Sequence, residues 1–343
     1  MFENLDAYIL FSEQNRFYYT GFYSSYGCVV LTKDERFFIT DARYASEARE
    51  KVEGFKVLTV SAQGLYADVK SILTELNANK VGFEDEFVTV ADYEKIKKEL
   101  ASFELVSASN DIALERVIKS DIEIAKVAEA QAVTQKALLK TLPLLKVGVT
   151  EKEISNEITY QMLSLGAEAL AFENIVAFGV NTANPHHHCT DKKLEKNDLI
   201  TFDIGAKVNG YCGDMTRTFS IGNPAQNLRQ IHAIVLEAQQ YALQNLKAGI
   251  TGREAHLLAS EYITAHGYGS EFTHSLGHGI GVEVHERPYL SIRSNEVLKE
   301  NMITSVEPGI YVDGLGGVRI EDLVVIKEGG IQNITSFDKN INL

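Results

Sequence analysis

Residues 199–217 read LITFDIGAKVNGYCGDMTR, and residues 302–322 read MITSVEPGIYVDGLGGVRIED. Each stretch sets two acids into runs of Ile, Val, Leu and Phe: Asp203 and Asp214 in the first, Glu307 and Glu321 in the second. A carboxylate in such surroundings carries a large desolvation cost unless a positive charge neutralises it. Four such acids, with His278 available between the two pairs, predict two divalent cations. In the first stretch Asn209-Gly210 is the dipeptide of a two-residue hairpin turn, so residues whose numbers sum to 419 face each other. Asp203 then opposes Thr216 and Asp214 opposes Gly205. The two acids become diagonal neighbours on one face, with Cα atoms about 7–8 Å apart. The second pair is joined through Asp313-Gly314-Leu315-Gly316-Gly317, a looser Gly-rich turn whose register the sequence leaves open.

The two stretches belong to an internal duplication. Leu145-Lys146-Val147-Gly148-Val149-Thr150 recurs as Leu246-Lys247-Ala248-Gly249-Ile250-Thr251, each copy following a helical segment that carries Glu-Ala-Gln, at 129–131 and 237–239. In both copies the Thr stands three residues before a Glu, Glu153 or Glu254, which is the reciprocal capping box of a helix start. A His-rich segment and then an Ile-Thr strand with an acid follow each helix. Two related halves facing each other, with a site at their junction, are expected.

Composition bounds the rest. At 343 residues two domains are the default. A net charge of −14 without a basic stripe argues against nucleic acid as a partner. Cys28, Cys189 and Cys212 form no C-x-x-C pair, which suits small buried thiols in a reducing compartment. The acidic N-terminus lacks a basic, then apolar, export signal and no apolar run approaches a bilayer span, so a cytoplasmic protein with no membrane partner is expected.

Residues 1–110 alternate strand-like segments (7–11, 26–31, 36–39, 55–60) with helix-like ones (44–51, 65–76, 92–100), an α/β pattern. The short polar segment Ser107 to Asp111 is the expected boundary, giving domains 1–110 and 111–343. Beyond it, Ile118, Ile122, Ala125, Ala128, Ala132 and Leu139 predict one helical core face. Ile154, Ile158, Met162 and Leu165 predict a second, and Leu228, Ile231, Val235, Ala238, Ala242 and Leu246 a third.

The order Asp203, Asp214, His278, Glu307, Glu321 comes with Asn184-Pro185-His186, Gly277-His278-Gly279-Ile280-Gly281, Val284-His285-Glu286-Arg287-Pro288 and Val318-Arg319-Ile320-Glu321-Asp322. This set resembles the proline-directed metallopeptidases of the methionine aminopeptidase ("pita-bread") fold, with Xaa-Pro aminopeptidase and Xaa-Pro dipeptidase (prolidase) as the nearest groups. In the first domain, residues 15–22 and 39–44 resemble the creatinase-type N-terminal domain that precedes such catalytic domains. The resemblance implies an α/β (α+β) chain with a creatinase-type domain followed by a pita-bread domain of two pseudo-twofold-related halves. It also implies that Asp203 binds one metal and His278 with Glu307 the other, while Asp214 and Glu321 bridge both. The carboxylate-rich shell suits Mn²⁺, with Co²⁺ or Zn²⁺ also compatible.

By the same resemblance, Glu307 carries a proton toward the leaving nitrogen. His186 and His285 act at the reacting centre, His274 binds substrate, and Arg319 orients the site beside Glu321. Proline-containing peptides as substrates and a homodimer are implied as well. Removal of the first residue from Xaa-Pro peptides is the leading activity and dipeptide hydrolysis the runner-up, with Arg287 and Arg293 as candidates for gripping a dipeptide's carboxylate. A metal-free creatinase-like hydrolase and a non-enzymatic binding protein are remoter readings, because such proteins lose ligands that this chain keeps. His187 and His188 read as a solvated loop; His232, His256 and His266 read as structural; Tyr311 reads as a packing residue.

Overall fold

The computed structural model describes residues 2–342 and forms two compact units, Met1–Glu115 and Arg116–Leu343. The first is built on a six-stranded mixed sheet in the order Lys56–Thr59, Arg36–Thr40, Cys28–Thr32, Ala7–Leu10, Lys80–Phe83, Glu104–Ser107. One face packs Ile9, Val30 and Val81 against Val69, Leu73 and Ile96 of the helices Leu65–Glu75 and Val90–Glu99. Alternate residues of the same strands, Tyr8, Leu10, Val29 and Phe38, pack on the other face with Ala48 of the helix Ala42–Lys51, as strand pleating requires. The α/β reading of this region holds. The helix Glu13–Thr20 and the strands Lys80–Phe83 and Glu104–Ser107 were not legible beforehand. The helix is only eight residues long, capped by Ser12 and ended by Gly21 at φ 65°, and the two strands have four residues each. Ser107 to Asp111 is the end of the last strand and the start of the helix Ser109–Val117.

The second unit repeats one plan twice. In the first half the helices Asp121–Thr141 and Glu151–Ser164 share a core with the strands Ile175–Phe178, Leu199–Ile204 and Met215–Ser220. In the second, the helices Gln226–Asn245 and Gly252–Ala265 share one with Ile303–Val306, Gly316–Arg319 and Asp322–Lys327. Both predicted capping boxes form, at Thr150 with Glu153 and at Thr251 with Glu254. Each capping Thr also makes a lone antiparallel bridge, to Lys193 in one half and Val297 in the other. The duplication thus extends from sequence to backbone pairing.

The hairpin forms in the expected register. Asn209 and Gly210 both have positive φ, 49° and 78°, and Val208 pairs with Tyr211, Lys207 with Cys212 and Asp203 with Thr216. In the second half Gly309 pairs with Arg319 and Val312 with Gly316 around Asp313-Gly314-Leu315. Continued by two residues in each strand, that register sets Glu307 across from Glu321.

One core face differs from expectation. In the Asp121–Thr141 helix Ile122 and Leu139 are exposed, as is Ile118 before it, and the buried face is Val127, Ala130, Gln131, Thr134, Ala137, Leu138 and Thr141. Buried Gln131 and Thr134 spend their polar atoms on other elements, so an apolar count selects the wrong side. The other two stripes are buried as expected, with Leu165 only partly so.

Candidate metal centre and its cleft

The four acids and the imidazole are delivered by strands of both halves. Asp203 lies on Leu199–Ile204, and Asp214 sits in the break between Tyr211–Cys212 and Met215–Ser220. His278 is the middle residue of Gly277–Gly279, Glu307 follows Ile303–Val306, and Glu321 lies between Gly316–Arg319 and Asp322–Lys327. Glycine on either side of His278 is dictated by neighbouring backbone. A Cβ at Gly277 would overlap the carbonyl of Ser305, and one at Gly279 the carbonyl of Arg287.

All five line one cleft of about 500 Å³, together with His186, His274, His285 and Arg319. Ligand atoms of Asp214, His278 and Glu321 lie within 4.8 Å of one another. His278 Nε2 is 3.3 Å from Glu307 Oε1 and 3.7 Å from Asp214 Oδ2. Asp203 accepts a 2.6 Å bond from Arg319 Nη2. Arg319 was expected beside Glu321. It reaches that residue through Thr216, whose hydroxyl accepts from Arg319 Nε at 3.1 Å and donates to Glu321 Oε2 at 2.7 Å.

The electrostatics are those of a cage short of positive charge. Burial, then the nearby carboxylates led by Glu321, holds Asp214 well above the usual carboxylate range. Burial and the charges of Glu307 and Asp203 do the same to Glu321. Burial alone would also raise Glu307, but its bond to His278, with further help from His274 and Arg319, brings it to about 2. His278, which burial would lower, is raised to about 9 by Glu307 and Glu321. Glu321 Oε1 is buried without a hydrogen-bond partner, a costly state for a carboxylate oxygen. An orphaned acceptor, crowded acids and one imidazole fit a divalent cation.

The remaining predicted residues surround this cage. His278 and His285 meet edge to face with ring centroids 4.3 Å apart. His274 Nδ1 is 2.8 Å from the Ser275 carbonyl, so the proton sits on Nδ1. Its Nε2 then accepts the Tyr311 hydroxyl at 2.9 Å. Tyr311 in turn accepts from Arg319 Nη1 at 2.6 Å. Tyr311, read as a packing residue, therefore links the residue that grips Asp203 to His274. Of the supposed solvated pair, His188 is exposed while His187 is buried and bonded to Glu151. His232 donates to the Thr218 carbonyl at 3.2 Å, and His256 Nδ1 accepts the Leu276 amide at 3.1 Å.

Two glutamines went unrecognised beforehand, although the duplicated Glu-Ala-Gln marks both. Gln131 Oε1 accepts the Asp214 amide at 2.8 Å, and its Nε2 donates to the Asp214 carbonyl at 2.7 Å. In the second half Gln239 Nε2 donates at 3.1 Å to the carbonyl of Val306, the residue before Glu307. Each helix thus holds the backbone of an acid-bearing strand in its own half.

Comparison with known proteins agrees with this geometry. Residues 125–328 match the model of metallopeptidase family M24, and residues 3–118 that of the creatinase/prolidase N-terminal domain. The chain belongs to metallopeptidase family M24. It is 38% identical to the peptidase YqhT of Bacillus subtilis over 98% of this chain and 95% of that one. Among solved structures it resembles an Xaa-Pro dipeptidase from Bacillus anthracis, at 40% identity and a TM-score of 0.96, covering 99% of this chain and 95% of the other. It also resembles an X-Pro aminopeptidase from Thermotoga maritima, at 36% identity and a TM-score of 0.93, covering 99% and 98%. The chain is an α/β metallopeptidase with a creatinase-type first domain.

Proposed function

We propose that this chain is an Xaa-Pro aminopeptidase holding two divalent cations, Mn²⁺ by the nature of its ligands, between Asp203, Asp214, His278, Glu307 and Glu321. By the family resemblance Asp214 and Glu321 would be shared by both ions, Asp203 would serve one, and His278 with Glu307 would serve the other. When bound, the cations supply Lewis acidity at the scissile carbonyl and make water acidic enough to attack near neutral pH. Glu307, an anion at neutral pH, takes up the proton of the attacking water and passes it to the leaving nitrogen. A prolyl nitrogen is a tertiary amide without an N–H, so nothing in the site needs to accept a bond from it. His186 and His285 steady the developing oxyanion and the departing amine instead. Arg319 keeps Asp203 oriented, and through Tyr311 keeps His274 in the tautomer that the substrate meets.

The choice between tripeptide and dipeptide rests on the lining of the cleft. Among the described residues, its one Lys or Arg side chain is Arg319, which is committed to Asp203, Tyr311 and Thr216. Arg287 is paired with Glu296 at 3.1 Å, and neither it nor Arg293 lines the cleft. A free carboxylate two residues from the amino terminus would meet carboxylates and histidines, which favours substrates that continue beyond proline. Dipeptidase activity is the second reading, favoured by the likeness to the Bacillus anthracis enzyme. With manganese-loaded protein, Xaa-Pro-Yaa peptides should release their first residue with higher kcat/KM than Xaa-Pro dipeptides. A preference for the dipeptide would reverse the choice, and cleavage of neither would end the proline-directed reading. A homodimer in the cytoplasm belongs to the same proposal.

A further inference from the structure

Glu151 is completely buried, yet its carboxylate receives five hydrogen bonds. The Phe178 amide donates at 2.8 Å and Asn181 Nδ2 at 2.9 Å to one oxygen. His187 Nε2 at 2.8 Å, the Thr190 amide at 2.8 Å and the Thr190 hydroxyl at 2.6 Å reach the other. Burial would raise this carboxyl, but the bonds from Thr190, His187, Asn181 and Phe178 outweigh it and hold it below its ordinary value. An ionised carboxylate only accepts, so His187 carries its proton on Nε2.

The helix that begins at Glu151 does not need this group. Its duplicate begins at Gly252, in the position equivalent to Glu151, and forms the same capping box without any carboxylate there. What the first half has in addition is the segment it grips. His187 and its neighbour His186 both line the metal cleft, His186 exposed and His187 buried. Toward the cleft the segment is otherwise tied from Arg319 Nη2 to the Pro185 carbonyl at 3.4 Å and by the exposed pair of His188 with Glu173 at 3.4 Å, both weak by their length.

From these contacts we infer that Glu151 and His187 form a positioning pair for His186, the buried carboxylate anchoring His187 so that the adjacent imidazole is held toward the substrate. The inference rests on the peptidase reading, in which His186 acts at the reacting centre. His187 itself touches neither substrate nor metal in this scheme. A fixed imidazole gains orientation before the reaction rather than during it, so its loss is read in kcat more than in KM.

The test combines kinetics with a spectroscopic signature. In metal-loaded His187→Leu, kcat on an Xaa-Pro-Yaa peptide, referred to folded protein by circular dichroism, should fall about tenfold with KM little changed. His187→Gln, which keeps a donor near the Nε2 position, should recover most of the rate. In a His186→Ala background the same His187→Leu change should have almost no further effect, because contacts acting through one residue are not additive. Independently of activity, ¹⁵N-histidine NMR of the wild-type protein should show an Nε2–H of His187 protected from exchange and absent in His187→Leu. An unprotected Nε2–H, a wild-type rate in His187→Leu, or an undiminished loss in the His186→Ala background each overturns the inference. Inactivity of the wild-type protein on every Xaa-Pro peptide would instead defeat the activity proposed above, while the NMR signal would still decide the pair.

Discussion

At the residue scale, what made the proposed ligands legible was the mismatch between an acid and its neighbours. Asp203, Asp214, Glu307 and Glu321 stand out because apolar flanks forecast burial, and burial forecasts a counter-charge. Tyr311, Gln131 and His187 carry no such mismatch. Each is an ordinary residue for a helix, hairpin or loop, and its partner comes from a distant part of the chain. Tyr311→Phe should cut the chain from Arg319 to His274 and lower kcat/KM on an Xaa-Pro-Yaa peptide about tenfold, by loss of one oriented hydrogen bond. Steady-state kinetics check this, and an unchanged value would return Tyr311 to a packing role.

His232 gives a second prediction at this scale. Burial depresses its imidazole to about 4 from an ordinary 6.5, against the opposing effect of its bond to the Thr218 carbonyl. The unfolded chain therefore binds a proton between these values that the folded chain does not, so stability is present above pH 6.5 and lost as pH falls toward 4. His232→Gln, which keeps a donor without titrating, should flatten that acid limb in denaturant unfolding measured at a series of pH values. An equally steep limb would contradict the assignment.

At the element scale, the repeated cap and the Asn209-Gly210 turn were readable because each depends on a few adjacent residues with fixed stereochemical needs. The face of the Asp121–Thr141 helix was not, since Gln131 and Thr134 are polar for a reason that lies on other elements. Thr134 Oγ1 accepts the Ala206 N–H at 2.9 Å, and Gln131 holds Asp214 by both amide atoms. Gln131→Leu would leave the Asp214 amide and carbonyl buried without these partners, at a cost of about 1–3 kcal/mol each. Metal affinity, measured by isothermal titration, should fall about 10–100-fold, as for other residues that hold a ligand in place. Undiminished affinity would show that the strand keeps its course unaided.

At the scale of the whole molecule, the duplication was visible as a repeated order of helix, cap and acidic strand, and the structure returns it as two halves with separate cores. The second hairpin's register was hidden because a Gly-rich turn admits several conformations. Once formed, it places Glu307 opposite Glu321 and completes the cage. Two pairs of acids from two halves are costly for each other in the absence of cations, and Asp214 and Glu321 record that cost in their raised carboxyls. The role of the cage therefore turns on how many cations it takes. The metal content of manganese-loaded, dialysed protein, determined by elemental analysis, should be two ions per chain, and should drop to one or fewer in Asp214→Asn, which alters a proposed bridging ligand. Two ions retained by Asp214→Asn, or none bound by the wild-type chain, would contradict it.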